Sequence, residues 1–240
     1  MTTAKYIGAM FAAAIVLAGP STGIGAAQNT VEDALPPLEE QVVEEQASLK
    51  ALKLVQDYMT NVTSLKASFL QRAPGNKLSR GTLYMERPGR IRFDFKDDIP
   101  FLVVADGKSI NFVDYEIGQV QKWPVKDTPM LAIIGEGFDL ASVNAHIELE
   151  PGGIANLLSL AASDPDRPEL GQVTVYFEQT AAITPAEDAG LNLLSWVVLD
   201  ATGKATTVEI YDQEINPDLA ASLWTFKDPR GLSKRRRTRR

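Results

Sequence analysis

The sequence predicts an α+β fold with a curved antiparallel sheet, and three observations predict it. From Ser64 onward apolar residues alternate with polar ones in the two-residue rhythm of strands. Turn dipeptides, Pro88-Gly89 and Asp106-Gly107, separate these runs at hairpin spacing. Two helical patterns stand apart from the strands, one before the sheet and one inserted in it, and no internal repeat is visible.

The first element is not part of the fold. Lys5 precedes an uncharged apolar run over residues 6–18, and small residues follow up to Ala27, the pattern of a secretory signal peptide over residues 1–27. The run is shorter than the roughly 20 apolar residues that a membrane-spanning helix needs. A mature chain is expected to start near Gln28, and its length of about 210 residues suffices for one core. Residues 28–46 carry Glu32, Asp33, Glu39, Glu40, Glu44 and Glu45 with Pro36-Pro37 and no basic residue, and read as a solvated acidic linker. The folded domain is expected over residues 47–232.

A helix is expected over residues 45–61, with Leu49, Leu52, Val55, Tyr58 or Met59, and Val62 on one stripe. Strand spacing follows, with Leu65, Ala67 and Phe69 on one face and Lys66, Ser68 and Leu70 on the other. Further strands are expected over residues 81–87 and 90–95, 101–105 and 109–115, 173–177, and 191–200 and 206–211. Weaker strand patterns occur at 147–149 and 154–160. Asp127-Thr128-Pro129 reads as an N-cap and first turn for a short helix, Met130 to Ile134, closed by Gly135. That helix is apolar nearly all round, so it has to be covered on most sides.

Composition narrows the function. There is no Cys, which excludes a disulfide framework and an acylated N-terminal Cys, so any lipid has to be held as a ligand. His146 is the sole histidine, which leaves no His/Cys metal cluster, and no GxSxG, Walker or GxGxxG motif surrounds it or occurs elsewhere. Catalytic, metal and cofactor residues are therefore not expected. Asp94, Asp97 and Asp98 cluster at a strand end, where solvation explains them. Lys234, Arg235, Arg236, Arg237, Arg239 and Arg240 form a basic tail within residues 233–240; without these six and Lys5 the formal charge is −14 rather than −7. An acidic body is a poor nucleic-acid binder. The tail reads either as a solvated terminus or as a dock for anionic lipid head groups.

The segment G-T-L-Y-M-E-R-P-G-R-I-R-F-D-F over residues 81–95 carries the most information. Alternation puts Leu83, Met85 and Arg87 on one face of the first strand, and Ile91, Phe93 and Phe95 on one face of the next, with Arg90, Arg92 and Asp94 opposite. If the apolar faces line a concave interior, Arg87 stands at its rim with several donors to offer; a surface salt bridge is the plain alternative. Together with "VVADGKSINFVDYEIGQVQKW", "DTPMLAII" and "WTFKDPRG", the run "ERPGRIRFDF" resembles the outer-membrane lipoprotein carrier family, LolA, in order and spacing over roughly residues 47–231. The resemblance implies a strongly curved antiparallel sheet forming an unclosed β-barrel, a half-barrel covered by short lid helices. It implies a soluble, monomeric periplasmic carrier that is not an enzyme and takes acylated lipoproteins from an inner-membrane lipoprotein-releasing transporter toward an outer-membrane acceptor. Acyl chains would be held by Leu83, Met85, Ile91, Phe93, Phe95, Met130, Leu131 and Ile134. Arg87 would hydrogen-bond backbone carbonyls of the lid. A periplasmic sensor of the same fold, binding lipoproteins or lipids and reporting to a membrane partner, is the other reading.

Overall fold

The computed structural model describes residues 38–96, 99–128, 131–135, 144–180 and 190–231. The expected signal peptide and basic tail lie outside them, as do Asp97, Asp98 and Met130. The first helix, α1, runs Leu38–Asn61 and so starts well before the expected position 45. The acidic stretch that reads as linker is helical from Leu38 because Glu is a good helix former, and the prolines stop just ahead of the first turn. Its buried face is Ala51, Val55 and Tyr58, continued at helical spacing by Val62 just past its end, whereas Leu49 of the expected stripe is 59% exposed.

Eleven strands follow: β1 Ser64–Ala73, β2 Lys77–Glu86, β3 Arg90–Phe95, β4 Phe101–Asp106, β5 Ser109–Asp114 and β6 Gln119–Pro124, then α2 Leu131–Ile134, then β7 Asn144–Leu149, β8 Leu157–Ser163, β9 Gln172–Gln179, β10 Leu191–Leu199 and β11 Ala205–Ile215. They form one antiparallel sheet ordered β6-β5-β4-β3-β2-β1-β11-β10-β9-β8-β7. The chain therefore meanders outward to one edge, crosses to the other edge, and meanders back until β11 pairs with β1. Strands β6 and β7 do not pair, so the barrel is unclosed, and the segment linking them is the crossover that carries α2.

The sheet's curvature follows from one contact. Phe93 on β3 and Trp196 on β10 are four strand steps apart, about 19 Å along the sheet at roughly 4.8 Å per step. Their rings nonetheless meet with centroids 6.2 Å apart, which only a tightly rolled sheet permits. The alternating residues Leu65, Ala67, Phe69, Leu83, Met85, Ile91 and Phe93 face this concave interior, and α1 lies over it against β7 and β10. Gly81 belongs to the same wall: a Cβ there would stand 2.7 Å from the Phe69 ring and 2.0 Å from the Asp94 carbonyl oxygen.

The convex face is strapped by the C-terminal segment. Arg92 pairs with Asp94 at 2.8 Å and donates to the carbonyls of Leu223 at 2.9 Å and Thr225 at 3.1 Å. Arg90 pairs with Glu86 and lies 5.9 Å over the Trp224 ring, while Phe226 packs on Leu102, Val104 and Val113. The motif "WTFKDPRG" is thus the outer clasp of β3, β4 and β5.

One local expectation is corrected. Asp127, expected as an N-cap, lies inside a 3-10 turn, Val125–Asp127, and Thr128 is extended with its hydroxyl donating to the Val125 carbonyl. Asp127 bonds Arg167 instead, at 2.8 Å, because the crossover passes the β8–β9 connection there.

Candidate functional site

Arg87 follows the last residue of β2, and the strand's parity carries it inward after Leu83 and Met85. Tyr58, Met59 and Val62 at the end of α1 meet it from one side, and α2 meets it from the other. Its Nη1 donates to the Val62 carbonyl, and Nη2 donates to the Ile133 carbonyl at 3.2 Å and reaches Met59 Sδ at 3.0 Å. The guanidinium also lies 5.8 Å over the Tyr58 ring, within cation–π range. Its backbone N–H donates to Thr63.

The acceptors explain the arrangement. The last carbonyls of a helix have no partner within it and carry the negative end of its dipole. Helix α1 has no basic residue in its last turn. Arg87 supplies that missing cation from the sheet and shares it with α2. Burial pushes the guanidinium below its usual range, since desolvation disfavours the charged form. Among the described residues none of its hydrogen-bond partners is a carboxylate, and Nε has none.

Gly89 adds a second tie. Its N–H donates to the Ile134 carbonyl at 2.6 Å. It sits at φ +77°, and a Cβ there would stand 2.9 Å from the backbone of Gly107, so only glycine lets the two turns and the lid converge. The Asp106-Gly107 hairpin seats the crossover as well, through Val125 N–H to the Lys108 carbonyl at 2.9 Å.

Of the expected interior residues, Leu83, Met85, Ile91 and Ile134 are fully buried, Phe93 is 7% exposed and Phe95 is half-buried. Leu131 belongs to α2, with its side chain outside the description, and Met130 lies outside altogether. Phe93 packs edge-on against Phe69 at 5.2 Å and against Trp196 at 6.2 Å, and Tyr58 meets Phe177 at 5.2 Å, so α1 touches the walls and the walls touch each other. Tyr58 and Phe69, on the apolar faces that the sequence spacing gives, are interior as well, whereas Phe177 and Trp196 were missed; the alternation of Leu191, Leu193 and Trp196 across a bulge carries a weak signal for the last. The Ile133 carbonyl is one of the helix carbonyls that the family resemblance implied for Arg87, whereas Met59 and Val62 were missed as its partners, because only closure of the fold brings them to it.

His146 is exposed on the edge strand β7. No group of three His, Cys, Asp or Glu among the described residues could hold a metal ion. No helix among them is long and apolar enough to cross a membrane.

Comparison with known proteins points one way. Residues 60–227 match the family model described as outer membrane lipoprotein carrier protein LolA. The chain is 27% identical over 199 residues to an outer-membrane lipoprotein carrier protein of Albidiferax ferrireducens, covering 77% of this chain and 90% of that one. It is 28% identical over 195 residues to the carrier protein of Legionella pneumophila strain Paris, covering 77% and 89%. Among solved structures, a LolA superfamily protein from Nitrosomonas europaea aligns with 11% identity and a TM-score of 0.42, covering 75% of this chain and 97% of that one.

Proposed function

The chain belongs to the outer membrane lipoprotein carrier family LolA, and on that premise we propose that it is a periplasmic, non-catalytic carrier that shields lipoprotein acyl chains inside the half-barrel between the inner and outer membranes. Residues 1–27 direct export and are removed. Cargo comes from an inner-membrane lipoprotein-releasing transporter and passes to an acceptor at the outer membrane. Leu83, Met85, Ile91, Phe93, Phe95 and Ile134 line the space the acyl chains occupy, and Arg87 is the latch.

The observation that carries this reading is the buried guanidinium of Arg87 tying β2 to the ends of both helices over an apolar interior. A covered interior whose walls touch takes up acyl chains only by opening. Each buried methylene contributes about 0.8 kcal/mol, so a chain of about 14 methylenes gains on the order of 11 kcal/mol gross. A carrier that kept all of that would never deliver. Re-forming the closed packing and the Arg87 hydrogen bonds competes with cargo and returns part of this energy at delivery, which permits release.

Mass spectrometry of protein isolated from periplasm tests the reading. Acylated lipoprotein should accompany it when the releasing transporter is active and be absent when it is not. Isolation under active release without any acylated polypeptide rules the carrier out.

A further inference from the structure

We propose that the end of the sheet opposite the lid docks on anionic lipid, with the basic tail as its electrostatic arm and the β5–β6 turn as its apolar foot. The lid sits where the β2–β3 and β4–β5 turns meet α2. At the other end, the β5–β6 turn and the β3–β4 connection come together, joined by the Tyr115 N–H donating to the Pro100 carbonyl at 2.8 Å. There Ile117 is 48% exposed, Tyr115 38% and Ile99 37%. Isolated exposed apolar residues are ordinary, but three on two joined turns form a cluster.

The tail is rooted at this cluster. The C-terminal strap packs Phe226 on Leu102, Val104 and Val113, in the strands that flank these two connections, and ends with Pro229–Gly231 against β6. Residues 232–240 follow directly, and nine residues reach at most about 30 Å from that root at roughly 3.3–3.6 Å each. Six of the last seven residues are Lys or Arg. Asp97, Asp98 and Glu116 belong to the same two connections by sequence, fewer than the six basic residues of the tail, and Lys96 and Lys227 are exposed.

An aromatic and two branched aliphatic side chains beside a polybasic run are the two components of reversible interfacial binding, one apolar and shallow, the other electrostatic. The acidic body is repelled by an anionic surface, so the tail also sets orientation: this end faces the lipid, and the lid faces away from it. Cargo is not needed for this contact, so its test is separate from that of the carrier reading.

The full chain, processed by an exporting host and purified free of cargo, is floated with vesicles containing phosphatidylglycerol and with neutral phosphatidylcholine vesicles. Association with the anionic vesicles at low salt should exceed that with neutral ones by about tenfold or more, and high salt should abolish the difference. Removing residues 234–240, or changing Arg235, Arg236 and Arg237 together to Gln, should lower it about tenfold. Ile117→Ser should lower it several-fold and leave its salt dependence unchanged. Equal flotation with neutral vesicles, undiminished flotation of the truncated chain, or an Ile117→Ser chain indistinguishable from the parent overturns the proposal. So does capture by a soluble acidic polypeptide as strong as that by the anionic vesicles, which would make the tail a protein-binding arm.

Discussion

Burying a guanidinium without a carboxylate is costly, and at Arg87 the cost is offset only while helix carbonyls point at it. Hydrogen bonds to a charged group contribute roughly 1.5 to 3 kcal/mol each. Losing those to Val62 and Ile133 should therefore raise the open population of the lid by about tenfold or more. Arg87→Leu keeps an apolar stem in the wall, so global unfolding in urea should change little while hydrogen exchange at the Gly89 amide, which bonds α2, accelerates. The same variant should retain cargo and deliver it slowly, because the closed state no longer competes. Arg87→Lys should fall between the two, since an ammonium lacks the planar fork that serves both helices. Wild-type exchange at Gly89 and wild-type delivery in Arg87→Leu would remove the latch from the mechanism. The parity of Leu83, Met85 and Arg87 was legible in the sequence, because a strand's period of two is local. The Ile133 carbonyl, 46 positions away, came only through the family resemblance, and Val62, 25 positions away, not at all, because only packing brings these groups to Arg87.

At the scale of elements, the supports of the site are turns and joints. Asn216 clamps the joint between α1 and β1. Its Oδ1 accepts from the N–H of Thr63 at 2.8 Å, and its Nδ2 donates to the Asn61 carbonyl at 2.9 Å. The end of α1 is thereby fixed to β11 as well as to Arg87, so opening that frees α2 need not release this end. The Asp106-Gly107 hairpin seats the crossover and was the clearest signal in the sequence, an Asp-Gly pair between apolar runs. Desolvation pushes the Asp106 carboxyl up, but the backbone N–H groups of Ser109 and Lys108 and the charge of Lys122 together outweigh it and hold the carboxyl below its ordinary value of 3.8. The folded state then binds fewer protons than the unfolded chain as pH falls through that range, so this contribution is complete above the ordinary value and disappears below the folded one. Asp106→Ala should cost about 1 kcal/mol at neutral pH. In urea titrations the difference from the parent should shrink as the medium is acidified below the ordinary carboxylate range; a difference independent of pH would assign the effect to the turn backbone instead. Strand β6 escaped the sequence reading for the opposite reason. Gln119, Gln121, Lys122, Trp123 and Pro124 present no alternating apolar face, because an edge strand beside exposed turns buries little. The early start of α1 was hidden by charge, which signals solvation and helix propensity alike.

At the scale of the whole molecule, a single crossover links the two free edges, β6 and β7, and carries α2 between them. A meander predicts neighbouring strands, and those were legible; that the last strand returns to the first was not, because β1 and β11 are joined only through the complete circuit. The crossover has two kinds of anchor. One is a set of backbone-directed hydrogen bonds, from Arg87 and Gly89 to α2 and from the Val125 N–H to the Lys108 carbonyl. The other is external, the ion pair of Asp127 with Arg167, whose side chains are 40% and 39% exposed. Exposed pairs contribute little, about 0 to 1 kcal/mol, and salt weakens them further as the screening length falls to about 3 Å at 1 M. Buried hydrogen bonds are screened far less. Exchange at the Gly89 amide should therefore change less than about twofold between low and high salt, and Arg167→Ala should match the high-salt parent. If salt alone accelerates that exchange as strongly as Arg87→Leu does, the closed state is held from outside by Asp127 and Arg167. Cargo uptake would then respond to the ionic strength of the periplasm, not to the energy of acyl chains entering the barrel.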